Sequence, residues 1–241
     1  MIRYGLVKSF VLKAISLGVK VPEGPIDRYI ELTHLKELLA LLKINCVFDV
    51  GANEGQFASE LRAIGYDDYI VSFEPVQHVF DTLSQKFSQD PKWKGFQVAL
   101  GSKNETANIN VHEMTVMSSL LESKEHCQHT KTQTIEVKRI DEMLPTIVEE
   151  IPNPRIFLKM DTQGYDLEAF KGAQQCLGYI QGLQSEISVQ PLYKGMPHYN
   201  ESLTVYEKHG FELFNISVVN RISSGGLLEL NAFMKRRSVS N

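Results

Sequence analysis

The stretch CVFDVGANEGQFASEL, Cys46 to Leu61, sets an acid and two glycines within seven residues at the end of an apolar run. The run predicts a strand ending near Asp49. A loop through Gly51, Asn53 and Gly55 follows, and a helix begins near Gln56. In open α/β sheets, ligands bind beyond the carboxyl ends of the strands, against the loop that enters the first helix. Glycines there remove Cβ, so a ligand can press on the backbone and the chain can take unusual dihedrals. A tight turn that binds nothing would use the same glycines. The next apolar run, VSFEPV, ends in Glu74, 25 residues beyond Asp49. Pro75 suits the first turn of a helix and biases Glu74 toward an extended backbone. An acid at that place can accept hydrogen bonds from both ribose hydroxyls of an adenosine-containing cofactor, or it can serve as a helix-capping charge.

The glycine spacing bears on which cofactor. A dinucleotide fingerprint needs G-x-G-x-x-G to bring amides onto a pyrophosphate. Here the pattern is G-x-N-x-G, with Asn53 in place of the central glycine and Asp49 just upstream. An acid is a poor neighbour for pyrophosphate and a good one for a cation. S-adenosylmethionine carries an ammonium and a sulfonium and no phosphate, so Asp49 and Glu74 suit it better. Further along, Glu186 ends a strand-like run before VQPLYKGMPHY, a loop with Tyr193, His198 and Tyr199. These side chains suit an acceptor site, or a loop folded onto itself. The cluster EHCQH (Glu125, His126, Cys127, His129) offers metal-ligand types without a second ligand group, and reads as a solvated loop; no metal site is expected.

The elements that must hold these residues follow from texture. Short apolar runs at Cys46–Val50, Tyr69–Phe73, Phe96–Leu100, Ile156–Met160 and Leu183–Val189 alternate with helical patterns at Phe57–Ile64, Val76–Phe87 and Leu167–Leu177. Continuous hydrophobicity predicts strands covered on both faces, and the alternation predicts a mostly parallel sheet. Ala107–His112 and Thr134–Lys138 alternate in polarity and read as an exposed strand pair. The polar stretch between them, Glu113–Gln133, is long enough to be a functional loop. Phe211–Val219 and Leu227–Met234 predict a closing hairpin. Ile26–Lys43 predicts a helix, which with the segment before it forms an N-terminal extension, 1–43, to a domain spanning 44–241. In the first twenty residues Val7, Phe10, Val11, Ala14 and Ile15 share one helical face with basic residues elsewhere. That face is expected to pack on its own domain rather than on a membrane surface. A formal net charge of −4 argues against broad nucleic-acid binding, and three scattered cysteines point to a reduced, cytoplasmic protein.

Taken in order from Val47 to Ala173, VFDVGANEGQFA, VSFEP, VALGS, MSSL, RIDEMLP and FLKMDTQGYDLEAFKGA resemble the FkbM family of S-adenosylmethionine-dependent methyltransferases. The block from Lys159 to Ala173 is the most particular; Gln163 departs from it, since many relatives carry glutamate there. The resemblance implies a Rossmann-like class I methyltransferase fold, with a mostly parallel seven-stranded sheet ending in an antiparallel hairpin. It implies S-adenosylmethionine as cofactor and methyl transfer to a hydroxyl of a small-molecule acceptor such as a sugar or polyketide. Asp49, Gly51, Asn53 and Gly55 would surround the methionyl end of the donor, and Glu74 would hold the ribose. Ala99 and Leu100 would border the adenine, and Ser118 would touch cofactor or acceptor, unless it only forms a turn. Asp161 would face the donor or the acceptor, unless it caps the helix after Gly164. Asp161, Glu186 and His198 are the candidates for general base, Asp161 first. A nicotinamide-dependent oxidoreductase and a non-catalytic scaffold of the same fold are the rival readings.

Overall fold

Each strand of the central sheet is short and apolar because helices cover it on both sides. The computed structural model describes residues 12–19, 23–124 and 131–237. Helix α1 (Glu23–Leu41) leads into β1 (Cys46–Val50), α2 (Gln56–Ala63), β2 (Tyr69–Phe73), α3 (Gln77–Lys86) and β3 (Trp93–Phe96). Next come β4 (Ala99–Leu100), β5 (Glu105–Val111), a short 3-10 turn at Thr115–Met117, β6 (Lys131–Lys138) and α4 (Ile140–Val148). The chain ends with β7 (Ile156–Met160), α5 (Asp166–Lys171), β8 (Ile180–Ser188), α6 (Tyr199–Lys208), β9 (Phe211–Arg221) and β10 (Leu227–Arg236).

Seven strands form one sheet in the order β3-β2-β1-β7-β8-β10-β9. The strands from β3 to β8 run parallel, and β10 pairs antiparallel with both β8 and β9. This is the Rossmann-like methyltransferase arrangement with its C-terminal hairpin. All five residues of β1 and of β7 are buried, as parallel strands under two helical layers must be. On one face Leu35, Leu38 and Leu39 of α1 pack with Val47, Leu61 and Phe157. Their spacing places them on one stripe of the helix. On the other, Phe48, Leu158 and Met160 meet Ile140, Leu144, Phe170 and Tyr206.

A second sheet, β4-β6-β5, stands beside the first. Here three expectations are corrected. The apolar run Phe96–Leu100 is not one strand: Phe96 stays in the large sheet, stacked on Phe73 at 5.7 Å, while Ala99 and Leu100 pair with Val137 and Lys138 of β6. The β5–β6 pair is exposed on one side only, since Ile109, Val111, Ile135 and Val137 close a small core with Val76, Val79 and Ala99. The helix expected over Leu167–Leu177 stops at Lys171, and just beyond it the backbone of Gly172 presses on that of Gly101. A Cβ there would lie 2.1 Å from the Gly101 carbonyl oxygen. Residues 12–16 are helical, with Ala14 half-buried and Ile15 65% exposed rather than packed on the domain; Val7, Phe10 and Val11 of the apolar face lie outside the described residues. The whole EHCQH cluster, Glu125 to His129, lies outside them as well. Among the described residues no helix is long and apolar enough to cross a membrane.

Candidate active site

The β1 loop is held hard against the end of β7. Gly51, at φ 73°, sits so close that a Cβ would stand 2.0 Å from the carbonyl oxygen of Asp161. Its N–H and that of Ala52 donate to Phe73 O at 3.0 and 3.1 Å, tying the loop to β2 as well. Asn53 takes the left-handed region (φ 47°), which asparagine tolerates better than most residues. This turn aims the Asn53 N–H at Glu74 Oε2, 3.0 Å away, while Val76 N–H donates to Oε1 at 2.9 Å. Glu74 is only 6% exposed. Burial pushes its carboxyl up to about 7, against the pull of those two backbone donors.

The first acid, Asp49, has a different fate. It is 0% exposed and faces Lys159 across the β1–β7 register. Lys159 Nζ lies 3.0 Å from Asp49 Oδ1 and 3.6 Å from Asp161 Oδ2, donates to Gly51 O at 3.3 Å and sits 5.4 Å over the Phe57 ring. Burial works against the ammonium, but Asp49 and Asp161 outweigh it and hold Lys159 protonated. Burial pushes the Asp49 carboxyl up, and Lys159 opposes that. Asp49 is thus a buried ion-pair partner beneath the loop.

Beyond β7 the chain turns through Gln163, at φ 52°, and Gly164. A glutamine in that region is uncommon, and the side chain explains why it is held. Gln163 Nε2 donates to Asp161 Oδ1 at 3.3 Å and to Glu186 Oε2 at 3.0 Å, and Gln163 Oε1 accepts from Tyr193 Oη at 3.0 Å. Ser119 Oγ donates to the Gln163 carbonyl at 2.8 Å, bringing the 113–124 segment over the site. The neutral amide therefore sits between two carboxylates where a glutamate would add a third. Burial first, then Asp161, raises the Glu186 carboxyl well above its ordinary value. Asp166, buried at the start of α5, accepts from Thr162 N–H (2.9 Å), Ser185 Oγ (2.7 Å) and Glu186 N–H (3.1 Å), pinning this turn to the end of β8.

These loops line an open hollow at the carboxyl edge of β1, β2 and β7. Of the sequence-predicted residues, Gly51, Asn53, Glu74, Ala99, Leu100, Ser118 and Asp161 line it. Asp49, Gly55, Glu186 and His198 do not. Gly55 (φ 78°) packs toward Phe87 and Leu83 at the entry to α2. Glu186 stands behind Gln163. His198 precedes α6, its N–H donating to Glu201 Oε2 at 2.8 Å and its ring paired with Asn200. Lys159 was missed by motif reasoning, though a lysine inside the apolar run FLKM must find a charge partner if the strand is buried. Tyr165, Ile109 and Thr115 line the hollow with no signal beyond their neighbours.

Among curated proteins none matches the sequence. The Burkholderia thailandensis 1,6-didemethyltoxoflavin-N1-methyltransferase, bound to 1,6-didemethyltoxoflavin and S-adenosylhomocysteine, is similar over 98% of this chain and 89% of its own, at 10% identity and a TM-score of 0.48. A putative RNA methyltransferase from Pyrococcus horikoshii is similar over 86% and 82%, at 12% identity and a TM-score of 0.46. Residues 49–213 match the model of the methyltransferase FkbM domain. The chain therefore belongs to the FkbM family of S-adenosylmethionine-dependent methyltransferases.

Proposed function

We propose that this protein transfers the methyl group of S-adenosylmethionine to a hydroxyl of a small-molecule acceptor, a sugar, a polyketide or a related compound. The observation that carries the reading is Glu74. It is a buried carboxylate whose two oxygens are each aimed by a backbone N–H, at the lip of a hollow lined by Ala99 and Leu100. Such an acid retains lone pairs for two ribose hydroxyls, and the small apolar wall beside it suits a purine. Among the described residues lining this hollow there is no Lys, Arg or His, and the G-x-N-x-G loop departs from the glycine pattern that brings amides onto a pyrophosphate. The fit favours a nucleoside without phosphate over a nicotinamide dinucleotide.

The bound cofactor supplies an electrophilic methyl group on a sulfonium, which makes most of the remaining work positional. Asp161 is the base in this reading: its side chain is 42% exposed, it lines the hollow, and it can take the proton of an acceptor hydroxyl. Gln163 and Lys159 fix its orientation. Glu186 and Tyr193 support that arrangement through Gln163. A net charge of −4 supports a small-molecule acceptor over nucleic acid.

Isothermal titration with S-adenosylhomocysteine and with NAD tests the donor. Binding of the first alone is expected; binding of NAD alone replaces the reading with an oxidoreductase. Incubation with methyl-labelled S-adenosylmethionine and extract fractions, followed by mass identification of the labelled product, tests the acceptor. A label on nitrogen or on RNA removes the hydroxyl assignment.

A further inference from the structure

Helix α1 carries two apolar stripes. Leu35, Leu38 and Leu39 fall on one side with Glu31 and are buried against the domain. Ile26, Tyr29 and Ile30 recur at helical spacing on the opposite side, and all three are exposed, Tyr29 by 73%. A helix that only packed on its own domain would need the first stripe alone. The segment before it repeats the feature: Leu12 and Ile15 of the helical turn 12–16, and Leu17 and Val19 after it, are each more than half exposed. The large side chains expected to pack on the domain do not, and the two stripes do not cover one another. We propose that together they form a docking surface for an anionic lipid bilayer, on which the protein rests without crossing it.

Charge selects the partner. Residues 1–22 hold Arg3, Lys8, Lys13 and Lys20 and no acid, in a chain with 25 basic and 29 acidic residues. The acidic excess therefore lies wholly in the remainder. An anionic surface attracts this end of the molecule and repels the rest, which orients the protein as well as holding it. A symmetric pair of chains would instead set the same basic segments against each other. Lys13 follows Leu12 by about 100° of helical turn, on the flank of the apolar side, where its stem can reach past that side to a headgroup. The first turn of α1 brings Glu23 and Asp27 near its outer stripe. Attraction thus comes from the segment before α1, and the α1 stripe supplies apolar area. Tyr29 adds a ring with a polar tip, the kind of side chain that settles at headgroup level.

Docking requires no rearrangement of the fold. The groups that fasten α1 lie on its other side. Glu31 accepts from Asn231 Nδ2 at 3.2 Å and from Ser217, tying the helix to β9 and β10. Arg28 Nε donates to Glu60 Oε1 of α2 at 2.8 Å. With these contacts kept, α1 stands as a fixed bar between the sheet and the bilayer, its outer stripe free to lose its water.

The test is co-sedimentation of the full chain with vesicles of phosphatidylcholine alone and of phosphatidylcholine mixed with phosphatidylglycerol. Partitioning is expected to be stronger by about tenfold or more on the anionic vesicles, and to fall by about tenfold when salt is raised to about 0.5 M. Lys8→Glu/Lys13→Glu is expected to remove the preference for anionic lipid. Ile26→Ser/Tyr29→Ser/Ile30→Ser is expected to weaken binding to anionic vesicles by about tenfold or more. Its three side chains are exposed, so this variant should unfold at the wild-type temperature without lipid. A lower unfolding temperature would mean that the stripe packs within the chain, and would overturn the proposal. So would equal partitioning onto the two kinds of vesicle, no partitioning onto either, or a triple variant that binds as well as wild type. A dimer formed without lipid and dissociated by the same three substitutions would give the face to a second copy of the chain instead.

Discussion

The same device is built twice at the carboxyl edge of the sheet, with opposite results. In β1–loop–α2 and again in β7–loop–α5, a buried strand runs to an acid, a residue at positive φ turns the chain, and a short helix begins. The first acid, Asp49, is fully buried, and the second, Asp161, keeps a side chain 42% exposed. The difference comes from register. Asp49 falls two steps earlier relative to its strand's end and lies beside Lys159, whereas Asp161 follows the last residue of β7 at the rim of the hollow. Position at the sheet edge alone does not make an acid available; the neighbouring strand decides.

The sharpest way to break this comparison is to separate the two units. Gly51→Ala would drive a methyl group into the Asp161 carbonyl, 2.0 Å away, from a backbone at φ 73°. Backbone is the obstacle, and neither unit can yield without losing its strand pairing. The expected outcome is loss of more than about 5 kcal/mol, or failure to fold, in urea titration. Gly164→Ala, at φ 91°, also strains the backbone but meets mainly the flexible Met196 and Leu121 side chains at 2.9 and 3.1 Å, and is expected to cost about 2 to 4 kcal/mol.

A smaller change tests the fate of the two acids. Lys159→Met leaves Asp49 buried without its counter-charge and is expected to destabilise the fold by about 3 to 5 kcal/mol. Asp161→Asn, at a half-exposed group, is expected to cost under about 1 kcal/mol. If thermal unfolding shows the two equally harmful, register does not explain the contrast. The double variant Asp49→Asn/Lys159→Met should recover part of the first loss, because no lone charge remains buried.

How far this was legible from sequence follows the same line. The strands around Val47, Ile70 and Phe157 announce themselves because burial on both faces leaves only apolar residues, and Glu74 stands out as the acid ending such a run. Helix α4, from Ile140 to Val148, lacks a clean sequence signature because Pro145 falls inside it. The division of Phe96–Leu100 between two sheets has no local signature; it depends on β6, some forty residues later. Asp49 looked like a ligand-facing charge because sequence shows its neighbours along the chain and not Lys159 across the register. Gln163 looked like a lost glutamate, and its bridging of Asp161 and Glu186 needs the positive φ that folding supplies. Motifs report which groups meet at an edge, and cross-strand partners decide their charge and access.

Glu74 sharpens the comparison by giving the first unit its own available acid, and its pH dependence separates a ligand-binding role from a capping one. Its carboxyl sits at about 7, against an ordinary value of 4.5. Between those values the folded chain binds more protons than the unfolded one. Its contribution to stability is therefore fully present below pH 4.5 and is lost as pH rises through about 7, by at most about 3 kcal/mol. Ribose hydroxyls donate to the ionised carboxylate, so S-adenosylhomocysteine should bind less tightly as pH falls below about 7, toward a limit of about tenfold per pH unit. Stability without ligand and affinity for ligand should thus slope in opposite directions, and Glu74→Gln should flatten both. A helix cap would show the first slope alone, since its charge would meet only the Asn53 and Val76 amides whether or not the donor is bound.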